Sequence, residues 1–121
     1  MKIAITSTGP SLESIVDPRF GRCQFFLIVD PETMKFVAHE NQAGSQRGGA
    51  GPLAAKTISD FGVTVLLTGD VGPNAFDALK AAGIKAYIGA KGTVTQAIQQ
   101  WKNSELKEIG TASIASHSGM R

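Results

Sequence analysis

The stretch V63-T-V-L-L-T-G-D-V-G72, running on through P73-N-A-F-D-A-L-K-A-A-G83 to I84-K-A-Y-I88, decides the fold. Val63 to Leu67 is a nearly all-apolar run, the pattern of a strand covered on both faces. Thr68-Gly69-Asp70-Val71-Gly72 is a glycine loop, and Pro73 suits the first position of a helix. Phe76, Leu79 and Ala82 line one face of that helix until Gly83 ends it. Ile84 to Ile88 then reads as the next strand.

The same pattern continues on both sides. Downstream, the loop Gly89-Ala90-Lys91-Gly92 precedes Thr93, which has capping-box spacing to Gln96. Val94, Ala97, Ile98 and Trp101 form the buried face of that helix. Beyond Leu106 the chain turns small and polar and reads as a fraying tail. Upstream, Pro52 suits a helix start, and Ala54, Ile58 and Phe61 make an apolar stripe that stops at Gly62. Asn41 to Gly51 is polar with four glycines and forms no core element. Lys2 to Ser7 reads as a buried strand, Ser11 to Arg22 as a long loop, and Cys23 to Val29 as a second strand. A turn over Asp30-Pro31-Glu32-Thr33 brings Lys35 to Glu40 back antiparallel. Strand alternation points Phe25 and Phe26 to opposite faces.

Three strands followed by helix–strand–helix–strand–helix predict an α/β fold, a mixed sheet with helices packed against it. A five-stranded sheet of order 3-2-1-4-5 with three helices, as in ribonuclease H-like domains, fits this count. One domain over residues 1–108 is expected, with a flexible tail over 109–121. The 121 residues suffice for one domain and not for two ordinary ones. A hydrophobic fraction of 42% and a charged fraction of 18% exclude a disordered chain. No apolar run approaches the roughly 20 residues of a membrane span. The start M1-K-I-A-I-T-S-T8 lacks the signal-peptide pattern, so a cytoplasmic location is expected. Twelve Lys and Arg against ten acids leave a scattered charge of +2, which argues against nucleic acid as a partner. The single cysteine, Cys23, excludes an internal disulfide and an all-cysteine metal site.

The glycine clusters carry the functional signal. Gly48-Gly49-Ala50-Gly51, Gly69-Asp70-Val71-Gly72 and Gly89-Ala90-Lys91-Gly92 each lead into a helix start, where unpaired N–H groups and partial positive charge are available. If the strands before the last two helices are parallel neighbours, their loops leave the same edge of the sheet, where ligands of open α/β sheets bind. Backbone amides of Gly48, Gly49, Gly51, Gly69, Gly72 and Gly92 would form an anion site there. Arg19, Arg22, Arg47 and Lys91 would supply a positive rim, and Val71, Pro73 and Phe76 a wall against water. Gly62 and Gly83 simply end helices. None of the loops matches GxxxxGK[ST] or GxGxxG, which excludes the familiar nucleotide pockets.

Catalytic arrangements are weak. A metal-dependent nuclease on this fold needs clustered carboxylates, yet the first strand has no acid and Asp17, Asp30, Asp70 and Asp77 are dispersed. Cys23 reads as a small buried hydrophobe, with a thiolate favoured by Arg22 as the alternative. His39 reads as a satisfied polar residue before a metal ligand, His117 as a solvated tail residue, and Trp101 as core. No enzymatic activity is expected.

The ordered set D17-P-R-F-G-R22, E40-N-Q-A43, G48-G-A-G51, T68-G-D-V-G-P-N-A-F76, G83-I-K-A-Y87 and G92-T-V94 closely resembles the dinitrogenase iron–molybdenum cofactor biosynthesis family. The resemblance runs from Met1 to about Leu106. It implies a ribonuclease H-like fold without a nuclease centre, and a carrier or assembly factor for a metal–sulfur cluster or its precursor. Short single-domain members from sulfate-reducing bacteria hold a mixed molybdenum–copper sulfide cluster without covalent protein ligands, and this chain is similar to them in length and motif order. The resemblance therefore implies a Mo/Cu sulfide anion as ligand, with an iron–molybdenum cofactor precursor as the alternative, and client or assembly proteins as partners. A regulatory module that docks on a partner through its glycine loops is the rival reading of a different class.

Overall fold

The computed structural model describes residues 1–42 and 49–109. The expected tail from 110 onward lies outside the described residues, as do Arg47 and Gly48. The elements follow the order β1 (Ile3–Ser7), β2 (Phe25–Val29), β3 (Phe36–Glu40), α1 (Ala50–Asp60), β4 (Val65–Leu67), α2 (Pro73–Ala81), β5 (Lys85–Ile88), α3 (Val94–Lys102) and β6 (Lys107–Glu108). They build a mixed α/β fold with one open sheet of order β3-β2-β1-β4-β5-β6. β1 is antiparallel to β2, with Ile3 opposite Val29, and parallel to β4, with Ile3 opposite Val65. β4 and β5 are parallel neighbours, so the loops after them leave the same edge.

The sheet has six strands, not the five expected from sequence. Lys107–Glu108 do not fray. They pair antiparallel with β5, Tyr87 opposite Glu108, and the Ile109 N–H continues to the Ala86 carbonyl at 3.0 Å. Two charged residues carry no apolar alternation, and an edge strand needs none, because its backbone satisfies an otherwise open ladder.

Helices cover both faces. α1 and α2 pack with Ala4, Phe26, Ile28, Leu66 and Ala86 on one side of the sheet. α3 packs with Ile3, Ile5, Leu27, Val29 and Leu67 on the other. Phe26 joins the first cluster and Phe25 the second, as alternation requires. No helix among the described residues is long and apolar enough to cross a membrane.

The segment before β2 has no regular structure, yet it is tied to the end of β1, the loop after β4 and the start of α3. Val16 bridges Ser7, Ile15 bridges Thr93 and Arg19 bridges Asp70. Beneath it lies a buried polar group: Thr6 Oγ1 donates to the Asp17 carbonyl at 2.5 Å and lies 2.9 Å from Thr68 Oγ1. This strap holds residues 16–22 against the edge at which β1, β4 and β5 end.

Candidate functional site

A surface pocket of about 270 Å³ opens at that edge, lined by Gly21, Arg22, Gly49–Pro52 and Gly72–Ala75. It is built from two helix starts. Gly49 is the N-cap of α1 and Gly72 the N-cap of α2, and neither N-cap residue makes a side-chain cap hydrogen bond. Gly49 adopts φ 72°, a left-handed conformation that glycine takes without strain. The helix begins at Ala50, two residues before the start expected at Pro52. Proline fits the third helical position as well as the first, because N–H groups of the first turn have no intrahelical acceptor.

The first intrahelical bonds run from the Leu53 N–H to the Gly49 carbonyl and from the Phe76 N–H to the Gly72 carbonyl, 3.0 and 2.9 Å. Ahead of them stand the N–H groups of Ala50 and Gly51 in α1, and of Asn74 and Ala75 in α2. Neither first turn contains an acid. Arg22 is the only charged residue among the described lining residues. Backbone donors, two positive helix ends and a guanidinium, with no acid among the described lining residues, make an environment for an anion.

Close backbone approach holds the parts together. A Cβ on Gly51 would lie 2.7 Å from the Ala75 Cβ, and one on Gly21 would lie 2.8 Å from the Gly51 nitrogen. A Cβ on Gly69 would lie 2.7 Å from Pro18, so Gly69 seats the strap and does not line the pocket.

The structure brings Arg22, Gly49, Gly51 and Gly72 together, with Pro73 as wall. Val71 is fully buried in the adjoining core, and Phe76 packs partly buried against it. Arg19 does not line the pocket: its guanidinium forms a two-pronged pair with the buried Asp17 carboxylate, Nε–Oδ1 and Nη2–Oδ2 both 3.2 Å. That pairing raises the Arg19 pKa. Lys91 and Gly92 line a different depression, beside α3. The start of α3 is closed by its own side chains: the Gln96 N–H donates to Thr93 Oγ1 at 3.1 Å and the Thr93 N–H to Gln96 Oε1 at 2.9 Å. The third glycine loop therefore leads to a helix end whose donors are in part already used.

Cys23 is the small buried hydrophobe of the first reading. Burial, with Asp17 second, pushes its thiol up to about 12, so the free side chain is a neutral thiol near neutral pH. His39 stacks edge-on against Phe61, ring centroids 5.0 Å apart. Among the described residues no three His, Cys, Asp or Glu side chains are grouped to hold a metal ion. Sequence reasoning missed Gly21, Pro52, Asn74 and Ala75 as lining residues. The available signal was small residues and proline within both first turns, A50-G-P52 and P73-N-A75.

Comparison with known proteins agrees with this architecture. The apo form of the orange protein of Desulfovibrio gigas superposes with a TM-score of 0.90 at 41% identity, covering 93% of this chain and 96% of its own. A Thermotoga protein described as NifB-like gives 0.81 at 37% identity, covering 93% and 97%. An uncharacterised protein of Methanocaldococcus jannaschii is 29% identical over 112 residues, 90% of this chain and 92% of the relative. The family described as dinitrogenase iron–molybdenum cofactor matches residues 1–104, and the chain belongs to that family.

Proposed function

We propose that this protein is a non-enzymatic carrier that binds a metal–sulfur cluster anion without covalent ligands, and that the anion is a mixed molybdenum–copper sulfide. The observation that carries the reading is the convergence of two helix starts without side-chain caps on one pocket with Arg22 and no described carboxylate. Such a cluster supplies its own sulfide to the metals, so the protein has only to provide N–H donors, positive charge and apolar walls. Cys23, protonated and buried, does not compete as a ligand. Arg47 and Gly48, which the sequence reading assigns to the same site, immediately precede Gly49 in the chain. The likeness to the orange protein favours the molybdenum–copper anion, and the family description supports an iron–molybdenum cofactor precursor as the second reading.

The test is anaerobic incubation of metal-free protein with tetrathiomolybdate and a copper salt, followed by desalting, visible absorption and metal analysis. Molybdenum and copper retained in fixed ratio, with a protein-dependent charge-transfer band, are the expected result. Loss of both metals on desalting refutes the molybdenum–copper assignment. The double substitution Arg22→Ala, Arg47→Ala should weaken retention with the fold intact, and unchanged retention would overturn the assignment of charge.

A further inference from the structure

We propose that Asn41 is a positioning residue of the pocket, acting through the backbone on either side of Arg22; this rests on the reading of the pocket as an anion site. Asn41 follows the last residue of β3 and is buried, 8% exposed. Its Nδ2 donates to the Gly21 carbonyl at 3.1 Å and to the Cys23 carbonyl at 2.8 Å. Its backbone N–H donates to the Gln24 carbonyl at 2.9 Å. One side chain thus holds the carbonyls immediately before and after Arg22, and the backbone of the same residue holds the next.

The chemistry of the amide suits this task. Its NH₂ group carries two donors in one plane, so a single side chain serves both carbonyls. Aspartate of the same shape has no donor when ionised, and serine has one on a shorter stem. The fixed segment in turn abuts the helix start, because Gly21 lies so close to the Gly51 nitrogen that a Cβ there would approach it to 2.8 Å. Gly51 has the same relation to Ala75, at 2.7 Å. Asn41, Gly21, Gly51 and Ala75 therefore form one line of contact across the pocket, and the amide at its end sets where Arg22 leaves the strap.

The experiment compares wild type with Asn41→Ala, and with Asn41→Ser as the milder variant should the first fail to fold. Two readouts are needed. Amide hydrogen exchange in the Asn41 variant should quicken at least tenfold over Gly21 to Gln24 and stay within about threefold in β1 and β4. The tetrathiomolybdate dissociation constant should rise about tenfold, and Arg22→Ala should weaken binding less in the Asn41 variant than in wild type, as expected of two residues acting as a unit. Exchange that is unchanged, or quickened evenly through the sheet, overturns the positioning role, and so do fully additive losses. Failure of wild type to bind tetrathiomolybdate refutes the anion reading itself, and is distinguished from the other failures because it needs no variant.

Discussion

Replacing Gly72 by aspartate should stabilise the fold and disable the pocket. Gly72 sits at the N-cap of α2 with φ −79° and ψ 171°, a conformation open to any residue. Nothing lies within 4 Å of a Cβ built there. An aspartate carboxylate would accept from the Asn74 or Ala75 N–H and face the positive end of the helix. Relative to glycine the cap is worth a few tenths of a kcal/mol, and the helix dipole adds about 0.3–1. Loss of glycine freedom in the unfolded chain contributes about 0.4–1 kcal/mol more. The sum is about 1–2 kcal/mol, which for a domain of this size raises the melting temperature by about 3–10 °C. The same carboxylate occupies donors proposed for the ligand and repels it. A unit charge 6–8 Å from a unit anion at an effective dielectric constant of about 20 costs about 2–3 kcal/mol, or about 30- to 150-fold in affinity. Urea unfolding measures the first effect, and tetrathiomolybdate titration at low and high salt the second. Gly72→Ser, a cap without charge, should keep part of the stability gain with a smaller loss of binding. A Gly72→Asp protein that is more stable and binds with wild-type affinity would show that the anion lies elsewhere. One that is less stable would refute the description of this helix start.

Gly51→Ala should destabilise by about 1–3 kcal/mol, because its methyl would stand 2.7 Å from the Ala75 Cβ and force two helix starts apart. A lower urea midpoint with unchanged slope is the expected reading. Thr93→Ala should cost about 1 kcal/mol through loss of the capping box of α3, while tetrathiomolybdate affinity stays at the wild-type value, since Thr93 does not line the pocket. The Cys23 thiol, raised to about 12 from an ordinary 9.0, keeps its proton in the folded state where the unfolded chain begins to lose it. Its contribution is fully present below pH 9 and falls by up to about 1.4 kcal/mol per pH unit between 9 and 12. Cys23→Ala should flatten that part of a stability–pH profile, and an unchanged profile would refute it.

The elements whose chemistry is local were legible in the sequence. The apolar run before Gly69 marks β4, Pro73 opens α2, and the Thr93–Gln96 spacing gives the capping box observed in α3. Alternation separates Phe25 from Phe26 because a strand has only two faces. What depends on assembly was not legible. β6 exists because β5 offers an open edge to Lys107–Glu108, whose side chains give no sign of it. The three glycine loops look equivalent in sequence, and they stop being so once α1 and α2 pack on one face of the sheet and α3 on the other. Arg19 and Arg22 differ by three positions in the strap and have different roles, because the buried Asp17 carboxylate claims the first. Gly21 lies in the D17-P-R-F-G-R22 motif, but its part in the pocket follows only from the approach of the strap to Gly51.

The three helix starts also allow a comparison within one molecule. α3 shows that this chain builds a complete cap where one is useful, and such a cap contributes about 1 kcal/mol. α1 and α2 have none, although Gly72 could accommodate one without strain. In each of them proline replaces one residue of the first turn, leaving two N–H donors per helix ahead of the first intrahelical bond. A local rule broken twice, at two places that meet, and kept at the third, which lies apart, is the pattern expected of a site selected for binding over stability. The omitted side-chain oxygens would have filled the very donors that an incoming anion needs. On the proposed reading the anion would be held by these backbone donors with Arg22 and Arg47 supplying charge, and a cargo that carries its own sulfide would suit such a site because it asks no side-chain ligand of the protein.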